Sequence, residues 1–150
     1  MAASQKKNKT VALTGATGFI GTALIKQLQL AGWQVKALYR PKPGRSPINS
    51  HNLTWVAGEL SDLPSLNSLM ADADAVIHCA GAVRGVTQAD FDLINEIGAR
   101  HVAEVAAAQN KPPRLLLISS LAARMPELSH YAGSKMRGEL AIKNSPLRWT

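Results

Sequence analysis

The stretch that most constrains this chain is Thr10 to Gly21, TVALTGATGFIG. An apolar run, Val11-Ala12-Leu13, leads into three glycines spaced Gly15-x-x-Gly18-x-x-Gly21, and an apolar pattern at helical spacing follows at once. A buried strand, a tight glycine turn and a helix start together form a place for an anion. The first N–H groups of a helix have no intrahelical partner, and the helix dipole puts partial positive charge beside them. Glycine suits such a turn because it accepts a positive φ and lets backbone approach a ligand without a Cβ between them.

The rest of the chain alternates strands with helices. Ile20, Leu24, Ile25 and Leu28 recur at helical spacing, predicting a helix over 19–31 that stops at Gly32. Trp33 to Tyr39 reads as a second strand, which completes a βαβ unit with parallel strands. Pro41, Pro43, Gly44, Pro47 and Asn49 mark a loop. Leu53 to Ala57 is a third strand, and Ser61-Asp62 opens a short helix over 63–70 with Pro64 in its first turn. Asp74 to Gly81 reads as a fourth strand running into a loop, and 90–108 as one helix ended by Pro112-Pro113. The unbroken apolar run after Arg114, Leu115 to Ile118, predicts a central strand covered on both faces. A last helix is expected over 131–143, and Leu147 to Thr150 has the pattern of a sixth strand's opening. This order predicts an α/β domain over 10–150 with a doubly wound parallel sheet, preceded by a flexible basic leader over 1–9.

With 150 residues, 46% of them hydrophobic, the chain is long enough to bury a sizeable core. No apolar stretch reaches the roughly 20 residues of a membrane span, so no membrane is expected as a partner. The single cysteine, Cys79, excludes an internal disulfide framework and fits a reducing, cytoplasmic location. The net charge of +7 comes from scattered residues apart from the leader and a Lys42/Arg45 group, and aromatics are only 5% of the chain. That pattern gives no basic stripe for nucleic acid. No His/Cys/Asp/Glu set has metal-ligand spacing, so no metal is expected, and His78, at a strand end, reads as a packed residue.

Near the end stands Tyr131-Ala132-Gly133-Ser134-Lys135. Positions i and i+4 share a helix face, so an ammonium lies near a phenol. An adjacent cation favours phenolate over phenol, which suits a proton donor and acceptor for an alcohol–carbonyl interconversion. At the end of the second strand Tyr39-Arg40 stands with no carboxylate nearby. An acidic residue there would accept from the ribose 2′-OH of NAD, whereas an arginine can clamp a 2′-phosphate. NADP is therefore favoured as cofactor, with NAD the alternative.

TGATGFIG resembles the cofactor loop of the extended short-chain dehydrogenase/reductase superfamily, its epimerase/dehydratase branch, and the later motifs follow that family's order. The resemblance implies a Rossmann-type α/β/α domain and hydride transfer between nicotinamide and a hydroxyl or carbonyl carbon of a small-molecule substrate. It implies Tyr131 as acid/base, Lys135 on the nicotinamide ribose and tuning Tyr131, and Ser120 on the substrate oxygen, with Ser119 as the other candidate serine. Cofactor contacts are implied for Gly15, Thr17, Gly18, Phe19, Ile20 and Arg40. Cys79-Ala80-Gly81 matches a small-residue loop beneath the ribose. Glu59-Leu60 matches a segment that packs on adenine, with Glu59 replacing the usual aspartate. Asn95, with Gly98 and Ala99, resembles an Asn-x-x-Gly-Thr helix pattern and is expected to have a structural role near the site. Relatives of this kind continue past the position of Thr150 with further strands and a substrate lobe, so the chain reads as an amino-terminal portion with an uncovered sheet edge after the fifth strand. A non-catalytic dinucleotide sensor or assembly factor is the second reading, and a homodimer stays open.

Overall fold

The computed structural model describes residues 9–44 and 47–150, so most of the expected leader and Arg45 of the basic group lie outside the described residues. Five strands form one sheet: β1 (Thr10–Thr14), β2 (Gln34–Tyr39), β3 (Leu53–Ala57), β4 (Ala75–His78) and β5 (Arg114–Leu117). Their order is β3-β2-β1-β4-β5 and all pairs are parallel. The order reverses between β1 and β4, and in an open α/β sheet ligands settle in the crevice at that switch point.

Side chains alternate across the sheet with period two. Val11, Leu13, Val35 and Ala37 point to one face, where α1 (Phe19–Leu30) covers them through Ile25. Ala12, Leu38, Val76 and Leu115 point to the other, packed against Leu66, Leu69 and Met70 of α2 (Leu63–Met70) and Val102 and Ala106 of α4 (Gly98–Ala107). Ile142 of α5 (His130–Lys143) joins that second core. Asp62 caps α2 by accepting from the Ser65 N–H at 3.2 Å, as its position before Pro64 predicts.

The expected single helix over 90–108 is interrupted. α3 (Gln88–Asp92) passes into a π-helical turn at Leu93–Ile97 and then into α4. The wider turn brings the Asn95 carbonyl against α5 at Gly138, where a Cβ would lie only 2.1 Å from that oxygen. No periodicity of side chains signals a backbone–backbone crossing of this kind.

β5 departs from expectation on one face. Leu115 is buried, but Leu116 remains 36% exposed on the α1 side, because α1 lies over β1 and β2 and leaves that flank of β5 uncovered. The expected bare edge beyond β5 is instead paired: Trp149 bridges Leu115 in parallel, the Leu115 N–H donates to the Arg148 carbonyl at 2.9 Å, and the Thr150 N–H donates back to Leu115. The expected opening of a sixth strand is present.

Candidate dinucleotide site

β1 ends in the glycine turn. Gly15 has φ +68°, and a Cβ there would lie 2.5 Å from the Ala80 nitrogen and 2.6 Å from the Cys79 carbonyl carbon. The turn therefore lies directly on the exit of β4, across the switch point. Gly21 seats α1 equally closely, since its Cβ would meet the Gly15 oxygen at 2.1 Å. Gly18 is the N-cap of α1; no side chain caps it and the first turn carries no acidic residue. A helix start in this state presents its N–H groups to an anion. The glycines let the turn pack on β4 and on α1, and the helix start they leave without a side-chain cap has the donor chemistry that fits a pyrophosphate.

A cleft of about 610 Å³ extends from this turn along the carboxyl ends of the strands. It brings together most residues expected at the cofactor: Gly15, Thr17, Gly18, Arg40, Glu59, Leu60, Cys79, Ala80 and Gly81. Phe19 and Ile20 do not line it; their side chains face solvent, and their place in the first turn of α1 leaves the backbone as the part that faces an anion. Arg40 lines the mouth beside β2, and among the described residues it has no carboxylate partner. Glu59 is exposed and accepts from the Ser61 hydroxyl at 2.8 Å. Leu60 has two contacts at once, lining the cleft and packing on Gly98 of α4. Its carbonyl is hydrogen-bonded to the His101 ring at 2.8 Å. A carbonyl only accepts, so the Nδ1 of His101 carries the proton.

The residues expected at the reacting end sit on α5 and on the segment that follows β5. Lys135 is buried, and its ammonium donates to the Ile118 carbonyl at 3.0 Å. One of its three donors is used there, and two remain. A Cβ on Gly81, which lines the cleft, would lie 3.9 Å from this ammonium, while Lys135, Tyr131, Ser119 and Ser120 themselves lie outside the cleft lining. Burial pulls the Lys135 ammonium below the usual lysine range, while Glu139 and Cys79 act in the opposite sense. Tyr131 sits one turn earlier on the same face, its ring edge-on to Phe91 at 6.1 Å.

The two candidate serines differ in what holds them. Ser119 donates its hydroxyl to Glu139 at 2.7 Å. The Ser120 Oγ accepts from the Ala122 N–H at 3.2 Å as the cap of a 3₁₀ turn, Leu121–Arg124. Its own hydroxyl proton is left to donate.

Asn95 in the π turn is buried and clamps the loop leaving β4. Its amide accepts from the Ala82 N–H at 2.8 Å and donates to the Ala82 carbonyl and the Ser134 hydroxyl, each at 2.9 Å. Ser134 directly precedes Lys135, so one side chain ties the loop after β4 to α5. His78 is buried, 2.6 Å from the Thr14 hydroxyl through Nδ1. Burial, with a smaller push from Lys135, lowers its pKa to about 3, so it stays neutral. Thr14 also accepts from the Ala80 N–H at 3.4 Å, which links β1 to the same loop.

Arg84, Asp90 and His101 also line the cleft and carry no local signal in the sequence. Glu139 does carry one, standing eight residues after Tyr131 on the stripe that contains Lys135.

A family model described as NAD(P)H-binding matches residues 15–150. A ceramide reductase of Caulobacter vibrioides is 41% identical over 133 residues, covering 89% of this chain and 41% of the relative. A decarboxylating sterol-4-alpha-carboxylate 3-dehydrogenase of Dictyostelium discoideum is 36% identical over 88 residues, 59% of this chain and 27% of that protein. The crystal structure of the Bordetella bronchiseptica enzyme WbmH in complex with NAD+ superposes with a TM-score of 0.82 at 26% identity, covering 95% of this chain and 54% of WbmH. The chain thus spans about half the length of that structure and less than half of those curated relatives.

Proposed function

This chain belongs to the NAD(P)H-binding family, and from that premise we propose that it forms the cofactor half of an oxidoreductase acting on a hydroxyl or carbonyl carbon. Bound at the cleft, the cofactor supplies hydride transfer. The chain's own residues do the rest. Gly15, Gly18 and the start of α1 hold the pyrophosphate, and the two free donors of Lys135 take the hydroxyls of the nicotinamide ribose. Ser120 donates to the substrate oxygen and Tyr131 gives or takes its proton. The observation that carries this reading is the buried Lys135 ammonium, held by Ile118 and near Gly81 of the cleft lining. A dinucleotide sensor needs the glycine turn and can use Lys135 on the ribose, but it has no use for a tyrosine one turn before that lysine and a serine with a free hydroxyl at the same end. That argument disfavours the non-catalytic alternative.

We assign NADP as the preferred cofactor, on the position of Arg40 in the cleft lining with no carboxylate partner among the described residues. For the substrate we favour a carbonyl or alcohol on a largely apolar skeleton. Val83, Val86, Leu121, Met125 and Leu128 are exposed on the loops leaving β4 and β5, and the curated relatives named above are a ceramide reductase and a sterol carboxylate dehydrogenase. The test is NADPH oxidation, read by absorbance, with long-chain keto-lipids against keto-sugars. Turnover of a lipid ketone, lost by at least about 100-fold in Tyr131→Phe, is expected; turnover that Tyr131→Phe leaves intact would contradict the assignment.

A further inference from the structure

We propose that Glu139 is a positioning residue for the reacting end of the site, acting through Ser119 and Lys135; the inference rests on the oxidoreductase reading above. Two successive residues at the end of β5 are held by two successive turns of α5. The Ile118 carbonyl accepts from Lys135 at 3.0 Å, and the Ser119 hydroxyl donates to Glu139 Oε1 at 2.7 Å. With both neighbours fixed, Ser120 leaves the strand in an extended conformation, φ −144° and ψ 147°, capping the turn that follows. Glu139 is itself anchored, since its second oxygen accepts from Lys143 at 3.3 Å on the outer side of the helix.

The carboxylate also has an electrostatic part. Among the described residues, the titratable groups that act on Lys135 or feel its charge are Glu139, one turn on in the same helix, His78 at the end of β4 and Cys79 directly after it. His78 is neutral, so it brings no countercharge. Burial disfavours the Lys135 ammonium, and the Glu139 carboxylate is the largest influence opposing that. Glu139 thus opposes the effect of burial on the group proposed to hold the ribose, while fixing Ser119, the residue directly before the serine proposed to meet the substrate.

The test is the pH profile of NADPH affinity, followed by nucleotide fluorescence in a Tyr131→Phe background so that no phenol titrates beside the lysine. Glu139→Gln keeps an acceptor for Ser119 and removes the charge; Ser119→Ala removes the hydrogen bond and keeps the charge. The expected result is that Glu139→Gln binds within about twofold of its parent near pH 7, about three- to tenfold more weakly near pH 9.5, with its alkaline limb moved to lower pH. Ser119→Ala keeps the parent's limb. Superimposed profiles for Glu139→Gln and its parent would overturn the assignment alone. No NADPH binding by the parent at any pH would overturn the oxidoreductase reading and this inference with it.

Discussion

Single side chains at this site act through what they lack or what they hold. Gly15 acts by having no Cβ where the turn meets Cys79 and Ala80, and Arg40, which pairs with no carboxylate among the described residues, is the proposed clamp for a 2′-phosphate. Arg40→Ala is expected to weaken NADPH binding by about 10- to 100-fold, the range of a lost charge-assisted contact, with NADH affinity kept within about twofold. Calorimetric titration of both nucleotides checks this, and an equal loss for both would remove Arg40 from the 2′-phosphate. His78 makes a prediction about acid. Its folded pKa of about 3 lies below the ordinary 6.5, so between those values the unfolded chain binds a proton that the folded chain refuses. Stability therefore falls as pH drops below about 6.5, by roughly 1.4 kcal/mol per pH unit from this residue. Urea unfolding at several pH values should show that extra slope in the wild-type chain and lack it in His78→Asn. These residue roles differ in how they read from sequence. Arg40 is legible because it follows a recognisable strand. The pairing of His78 with Thr14 is not, because 64 residues separate partners that only the sheet brings together.

At the level of elements, the strands are legible because parallel strands buried on both faces read as short apolar runs, and α1 and α2 are legible from period and cap. The π turn between α3 and α4 is invisible in the pattern, since the backbone it meets lies in another helix. Gly138 lets α5 pass over the Asn95 carbonyl, and that crossing sets Ser134 and Lys135 against the loop after β4. Gly138→Ala must push the two backbones apart and is expected to cost about 1–3 kcal/mol, measured as a lowered urea midpoint, with weaker NADPH binding from the displaced Lys135. Unchanged stability and affinity would mean that the crossing does not set the site. The same logic explains β5: its apolar run correctly marks a strand, but coverage of both faces depends on where helices lie, and α1 leaves Leu116 partly open.

For the whole molecule, the order β3-β2-β1-β4-β5 places both ends of the site on one rim. The glycine turn follows β1, Arg40 follows β2, the Cys79–Gly81 loop follows β4 and Ser120 follows β5, and all leave the carboxyl ends of the strands. The proposed pyrophosphate end is built from Gly15, Gly18 and the start of α1. The choice of substrate is not legible in the sequence, because a Rossmann sheet serves many substrates; the apolar skeleton proposed above rests on exposed side chains that only the fold gathers after β4 and β5. The central claim, a dinucleotide held at the Gly15 turn, is tested most directly by thermal unfolding of this chain with NADPH and NADH, beside Gly15→Val. NADPH at about a hundred times its Kd should stabilise the chain by about 2.7 kcal/mol, raising Tm by roughly 5–10 °C, with no rise in Gly15→Val. No shift with either nucleotide in the wild-type chain, or an equal shift in Gly15→Val, would contradict it.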